Sequence, residues 1–415
     1  MFDKTYLLPA DALQRLLSSI PDTLITTERL KIEECYNRII SVDVVAPEDL
    51  PAFSRSTVDG YALNARDTFG AKDTSPAYIT VRNEIMMGTS PDFEIKTGEA
   101  AKIPTGGMMP KGADAVLMLE HAQAVSDDMI EAMRSVAPGE NVIQKGEDIQ
   151  KGATVLASGR RLRPQDIGAL AGIGITGIEV FKKPVVSIIS TGDEIVPASS
   201  LLKLGQVRDI NSFTLAGLIS DNGGVPVKKG IFKDDYRTIK KAIEDSVKDS
   251  DMVLISGGTS AGTKDMTADI INDIAMSQGG AGVVFHGLSL KPGKPMIGGV
   301  VNNKPILGLP GHPAAVVVCF NLFIKPALER LGGFISNKIF IKTVAAKMAK
   351  NIASAAGRED HIRVYLEEKD GEFSAVPVLG KSGLITTLVK ADGIVVIPQN
   401  KLGLDAGEDV TVRLF

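Results

Sequence analysis

The 415-residue chain contains no tryptophan, and its aromatic content is only 5%. Recognition of nucleic acid by base stacking is therefore poorly supplied. Charge does not help that reading, because 46 Lys and Arg against 50 Asp and Glu leave a net charge of -4. A phosphate-backbone binder needs a basic face, and the short cluster Arg160, Arg161 and Arg163 reads as solvated surface. Two cysteines, Cys35 and Cys319, exclude a disulfide framework and a thiolate metal site. The four histidines, His121, His286, His312 and His361, include no pair at metal-ligand spacing. No Ser/His/Asp order or nucleophile elbow stands out, which removes acyl-transfer hydrolysis. The longest apolar run, residues 314–320, is too short to span a bilayer. Asp3 and Lys4 near the start give no signal peptide. A reduced cytoplasmic protein is expected, with no nucleic acid and no membrane among its partners.

What the chain does have is the composition of a soluble globular protein, 44% hydrophobic and 23% charged. Its length implies roughly two to four domains. A helix is expected over residues 11–20, with Leu13, Leu16, Leu17 and Ile20 on one face. Residues 52–140 are strand-rich and broken by Gly and Pro, as in a small β domain. A helix opening at Pro164 and closing at Gly172 follows the usual asymmetry. From residue 183 an α/β repeat begins and implies a parallel sheet. Asn211 or Ser212 caps one of its helices and Asp234 the next. Asp265 opens a third, with Ile270, Ile271 and Ile274 inward, and Pro313 a fourth. After Gly332-Gly333 the pattern turns all-β, with strands expected over 339–345, 361–367, 373–378 and 393–397.

Three short apolar runs in the α/β stretch end in small-residue loops. Residues 185–190 precede Thr191-Gly192-Asp193-Glu194. Residues 252–255 precede Ser256-Gly257-Gly258-Thr259-Ser260-Ala261-Gly262-Thr263-Lys264-Asp265. Residues 305–309 precede Pro310-Gly311-His312-Pro313. Loops at the C-terminal ends of parallel strands share one rim, where ligands bind. Bare amides at Gly257, Gly258 and Gly262 suit a phosphate, although a tight turn without ligand explains the Gly-rich loop by itself. It lacks both the Walker ending and the dinucleotide spacing. Glu194, Asp234 and Asp265 together form an array of hard oxygen ligands suited to Mg²⁺ held with a pyrophosphate. Helix capping is the competing account, sufficient for Asp234 alone. Lys291-Pro292-Gly293-Lys294-Pro295 is a stiff turn holding two ammonium groups, fit either for an anion or for an exposed loop. Asp59-Gly60-Tyr61 and Thr105-Gly106-Gly107 read simply as turns.

Taken in order, these segments resemble the MoeA family of molybdopterin molybdenumtransferases, whose eukaryotic relative is the gephyrin E domain. The resemblance rests on Pro47-Glu48-Asp49-Leu50-Pro51, Ser56-Thr57-Val58-Asp59-Gly60-Tyr61-Ala62, Ile103-Pro104-Thr105-Gly106, Gly112-Ala113-Asp114-Ala115-Val116 and Gly139-Glu140-Asn141-Val142. It continues through Gly146-Glu147-Asp148-Ile149, the three rim loops and the Lys291–Pro295 turn, so it spans essentially the whole chain. It implies a homodimer of four-part subunits. The parts are an elongated N-terminal unit (1–50 and 140–182), a small β domain (51–139), an α/β domain like MogA-type adenylyltransferases (183–332) and a C-terminal β-barrel-like domain (333–415). The active cleft would lie between the α/β domain of one subunit and the small β domain of the other, drawing in Asp59 and Thr105. The implied reaction inserts molybdate, or tungstate, into adenylylated molybdopterin with Mg²⁺ and releases AMP. Asp59, Glu194, Asp234 and Asp265 match family positions tied to substrate and cation. Thr105, Lys291, Lys294, Pro310 and Pro313 match further substrate positions. Thr191, Gly192, Ser260 and Gly311 complete the rim loops. Arg358, in Gly357-Arg358-Glu359-Asp360, and Ser382, in Gly380-Lys381-Ser382-Gly383, resemble positions that hold the oxyanion. Two departures stand out: His312 where bacterial members often have Asn, and Gly287 where many carry Lys. Partner adenylyltransferases and molybdoenzymes follow from the same resemblance. The competing readings are a molybdopterin adenylyltransferase and a non-catalytic scaffold.

Overall fold

The computed structural model describes residues 6–21, 26–257, 261–335 and 342–415, and the side chains of residues 261–265 also lie outside the description. A six-stranded sheet forms the centre of the α/β unit, in the order Val225–Phe232, Val185–Thr191, Met252–Gly257, Lys304–Leu309, Ile297–Val301, Gly282–His286. The first four strands are parallel, and the last two are antiparallel additions at one edge. The all-parallel expectation thus fails at that edge. Asn302 and Asn303 both adopt positive φ and reverse the chain between Val301 and Lys304, a two-residue hairpin that needs no crossover helix.

The strands of this sheet send alternate residues to opposite faces. Ile188 and Leu254 pack with helix Asn211–Asp221 and with Val316, Phe320 and Phe323. Ile189, Val253 and Ile255 pack with Ile239 and Ile243 of helix Tyr236–Asp249 and with Ile270, Ile271 and Ile274 of helix Ala261–Gln278. Each such buried side chain contributes about 1.5–3 kcal/mol. The first helix, Pro9–Ser18, lies within the stretch expected for the elongated unit, yet its Ala12 and Leu16 join the first of these α/β cores. The helix opened by Pro313 runs Pro313–Cys319, then a π-helical turn Phe320–Ile324, then Lys325–Leu331. The π turn precedes Pro326, whose ring would crowd the Leu322 carbonyl in a regular helix.

Several helix starts differ from the sequence reading. Asp235, not Asp234, is the N-cap of Tyr236–Asp249, and its carboxylate accepts from Thr238 N at 2.8 Å and Thr238 Oγ1 at 2.7 Å. The helix assigned to Asp265 begins earlier, at Ala261. Neither Asn211 nor Ser212 caps its helix. Asp209 instead accepts from Ser212 N at 3.1 Å.

At the C-terminal end, strands Glu359–Lys369, Glu372–Pro377, Thr343–Met348, Asp409–Leu414 and Gly393–Ile397 close into a barrel, because Glu359–Lys369 pairs with both Glu372–Pro377 and Gly393–Ile397. The strand expected over 339–345 is Thr343–Met348, with 339–341 outside the described residues. Strand Asp409–Leu414 was not anticipated. A two-residue strand from the α/β unit, Leu290–Lys291, adds in parallel beside Glu359 and Asp360. That pairing ties the two units together at the site described next.

Outside the barrel, three smaller cores remain among the described residues, one of them built on Ile85, Ile95, Ile103 and Val116. Ile32, Cys35, Ile40, Leu162, Leu170 and Val180 pack around helix Pro164–Gly172. Leu63, Ile79, Leu117 and Ile130 fill one face of a second six-stranded sheet spanning Gly60 to Ala132.

Candidate active site

The strand ends that lead into the three loops lie side by side on one rim. Thr191 pairs with Gly257 and Ser256 with Leu309 at the ends of adjacent parallel strands. Asn211 lies across these ends, its Nδ2 donating to Ser256 Oγ and to the Gly311 carbonyl, both at 2.9 Å. Ser190 Oγ donates to Asp209 Oδ2 at 2.8 Å beside it. Gly257 has φ +122°, and a Cβ there would lie 1.9 Å from the Thr191 carbonyl oxygen. Only glycine lets the two strand ends approach so closely.

Carboxylates gather on this rim. Glu194 folds back over Gly192, where a Cβ would come 2.9 Å from its Oε2. Burial, reinforced by the negative charges of Asp193 and Glu194, pushes the Asp234 carboxyl up from its ordinary value. Asp234 Oδ1 is buried and has no hydrogen-bond partner. An orphaned oxygen among like charges fits a hard divalent cation, and Glu194 and Asp234 are the residues that would hold it. Among the described residues no group of three His, Cys, Asp or Glu has metal-site geometry. Gly258 and Ser260 lie outside the described residues, as does the side chain of Asp265.

Beside the rim opens a cavity of about 560 Å³ between the α/β unit and the barrel. It is lined by Lys291, Lys294, Pro310, Gly311, Arg358 and Ser382, all proposed from sequence, and also by Tyr6 and His312. The cations are positioned from below. Asp360 is fully buried; its Oδ1 accepts from Arg358 Nε at 2.8 Å and its Oδ2 from Arg358 Nη2 at 3.3 Å, and Lys291 Nζ lies 3.7 Å from the same Oδ2. His312 Nδ1 and Ser382 Oγ are 2.8 Å apart, and Ala314 N donates to the Ser382 carbonyl at 3.2 Å. Arg363 holds the same barrel loop from behind, donating to the Gly380 carbonyl at 3.0 Å. A pocket with three cations and a hydroxyl offers donors to a small oxyanion.

The structure does not bring every proposed residue to this cavity. Pro313 starts the adjoining helix and is buried. Thr191, Gly192, Gly257, Glu194 and Asp234 stand on the neighbouring rim. Asp59 and Thr105 pair with each other on the small β unit, where Asp59 Oδ1 accepts from Thr105 N at 2.7 Å and Thr105 Oγ1 at 3.1 Å. Neither lines the cavity.

The sequence reading missed Asp360, Asn211, Asp209 and Tyr6. For Asp360 a signal existed: Arg358 and Asp360 are two apart at a strand start, and so share a face. For Asn211, identity at a helix start pointed to capping, and only the fold shows it buried across two loops.

A three-layer α/β unit with carboxylates at its strand ends and a cationic cavity at its seam with a barrel defines a protein that handles a multiply negative small molecule. Profiles of the MoeA N-terminal region (domain I and II), of a probable molybdopterin binding domain and of the MoeA C-terminal region (domain IV) match residues 8–174, 187–330 and 345–415. A protein of Methanocaldococcus jannaschii is 36% identical over 409 residues, covering 96% of this chain and 95% of its own. The molybdopterin molybdenumtransferase of Bacillus subtilis is 30% identical over 393 residues, covering 94% of this chain and 90% of its own. A crystal structure of a molybdopterin biosynthesis MoeA protein from Pyrococcus horikoshii superimposes with TM-score 0.81 at 37% identity, over 99% of each chain. The chain belongs to the MoeA family.

Proposed function

We propose that the chain is a molybdopterin molybdenumtransferase, inserting molybdate or tungstate into adenylylated molybdopterin with release of AMP. The observation that supports this most is the cavity at the seam, where Lys291, Lys294, Arg358 and Ser382 converge. Lys291 and Arg358 share the buried Asp360 carboxylate, which orients both cations and offsets one of their two charges. A tetrahedral dianion is the ligand such a cavity suits.

The neighbouring rim would take the nucleotide end of the substrate. Strand-end amides and the Gly192 and Gly257 turns offer donors for a pyrophosphate. Mg²⁺ would supply screening of the phosphate charge, and Glu194 and Asp234 are its proposed holders, with Asp265 as the third carboxylate carried over from the family pattern. Asp234 or Asp265 would orient the attacking water. Asp59 and Thr105 would complete the cleft from a second subunit of a homodimer, and the four-unit division above would describe each subunit, with helix Pro9–Ser18 docked on the α/β unit. The cytoplasm is the proposed location, where adenylyltransferase and molybdoenzyme partners would meet it.

The test mixes the purified chain with adenylylated molybdopterin, Mg²⁺ and molybdate or tungstate, and follows AMP. Oxyanion-dependent AMP release is expected, with loss on chelation of Mg²⁺. Adenylate formation from ATP and molybdopterin would instead identify an adenylyltransferase. The absence of both, with normal cofactor supply in cells carrying Glu194→Ala, would leave a scaffold. Sedimentation velocity tests the dimer, expected at twice the 43.9 kDa chain mass.

A further inference from the structure

We propose that Tyr6 is a positioning residue that holds Lys294 in the oxyanion cavity. This inference rests on the reading of that cavity as the molybdate site.

The Tyr6–Leu7 segment is bound to the turn that carries the lysines: Leu7 bridges Leu288 in parallel, Ser289 N donates to the Leu7 carbonyl at 2.8 Å, and Ser289 Oγ to the Tyr6 carbonyl at 3.3 Å. The Tyr6 ring is thereby fixed at the cavity wall. It lies against the bare backbone of Gly287, which has φ +85° and where a Cβ would stand 2.7 Å from ring carbons Cδ1 and Cε1. Lys294 Nζ lies over the same ring, 4.2 Å from its centroid. Glycine at 287 makes the space that the ring occupies, and the ring in turn carries the ammonium.

The ring matters because the cavity's cations are held unequally. Arg358 and Lys291 share the buried carboxylate of Asp360. Lys294 instead lies over the π face of Tyr6. A lysine on a four-carbon stem is otherwise free to swing. A ring quadrupole attracts the ammonium without neutralising it, so the charge stays available to an anion. A carboxylate in the same place would cancel it.

The test uses the full chain and three proteins: wild type, Tyr6→Phe and Tyr6→Leu. Tyr6 is 39% exposed and close to the N-terminus, so these changes leave the cores untouched. Molybdate affinity is measured by calorimetry without nucleotide. Tyr6→Phe keeps the ring and should bind like wild type, whereas Tyr6→Leu should bind about tenfold more weakly. A second measurement needs no ligand. After reductive ¹³C-methylation of lysines, the Lys294 signal, assigned by its absence in Lys294→Arg, should carry an upfield ring-current shift in wild type and Tyr6→Phe and lose it in Tyr6→Leu. Equal molybdate affinity in all three proteins, an unshifted Lys294 signal in wild type, or no molybdate binding by wild type would each overturn the proposal. Failure of AMP release with oxyanion binding and its Tyr6 dependence intact would remove the transferase reading and leave the Tyr6 role standing.

Discussion

Asp166 gives the most quantitative prediction. It lies in the first turn of helix Pro164–Gly172, 4% exposed, and accepts five hydrogen bonds. Arg160 and Arg163, expected to be merely solvated surface, wrap it. Burial pushes its carboxyl up, but the side chain and backbone of Arg163 and the side chain of Arg160 outweigh that and bring it down from 3.8 to about 2. The difference corresponds to about 2 kcal/mol of stability. Because the folded value is depressed, this contribution is present above 3.8 and is lost as pH falls towards 2. Asp166→Asn should therefore destabilise its helix by the same amount at pH 7. A chain of several units does not unfold in one step, so local hydrogen exchange is the proper assay. Amides of residues 165–172 should exchange about thirtyfold faster in the variant. The acceleration should be the same at pH 7 and pH 5 after correction for intrinsic rates, since the carboxyl is ionised at both. No acceleration, or an acceleration that vanishes at pH 5, would refute the argument.

Asp234→Asn should make the chain more heat-stable at pH 7 without Mg²⁺. Burial and the negative charges of Asp193 and Glu194 raise its carboxyl, so its stabilising share is full below 3.8 and is lost as pH rises through the raised value. Calorimetry with and without Mg²⁺ should also show that the variant has lost the metal-dependent increment of the wild type. Asp360→Ala strands Arg358 and Lys291. A fully buried pair would cost more, but both cations are partly exposed, and about 2 kcal/mol is expected, read as faster exchange at Leu290–Lys291. Gly257→Ala places a methyl 1.9 Å from the Thr191 carbonyl oxygen at φ +122°. It should cost about 3 kcal/mol or more, seen as loss of soluble folded protein or a large drop in thermal midpoint.

The rim was legible because β-branched runs ending in Gly-rich loops leave few alternatives to parallel strands. Its details were less so, each for a physical reason. Asp234 and Asp235 are equally good caps by residue type, and only the path of the chain out of Val225–Phe232 decides which reaches Thr238. The antiparallel edge hid because Gly298 and Gly299 weaken the strand signal in Ile297–Val301 while Asn302-Asn303 carries the turn. Asp360 hid because a carboxylate is the residue least expected at zero exposure. The role of Tyr6 had no signature, since the cation it meets is nearly three hundred positions away.

The arrangement of charge bears on the kind of ligand. Had Lys291 or Lys294 faced Glu194 and Asp234, the groups would have paired and left little for a substrate. Instead the carboxylates stand at the strand ends and the cations at the seam with the barrel. Asp234 remains raised because it is buried and its charged neighbours are acidic, and Lys294 rests on a ring. Keeping like charges together costs stability in the empty protein. Such a cost persists where a ligand relieves it, and the proposed substrates, an oxyanion and a cation-bound phosphate, would relieve both halves. The pairing of Leu290–Lys291 with the barrel holds the cationic half to the seam, and Asn211 holds the rim loops that separate it from the acidic half. Removing Asn211 should therefore weaken molybdate and nucleotide binding together, although it carries no charge and is not among the residues lining the cavity. Calorimetric titration of Asn211→Ala with each ligand checks this, and loss of one affinity with the other unchanged would show that the two halves are set independently.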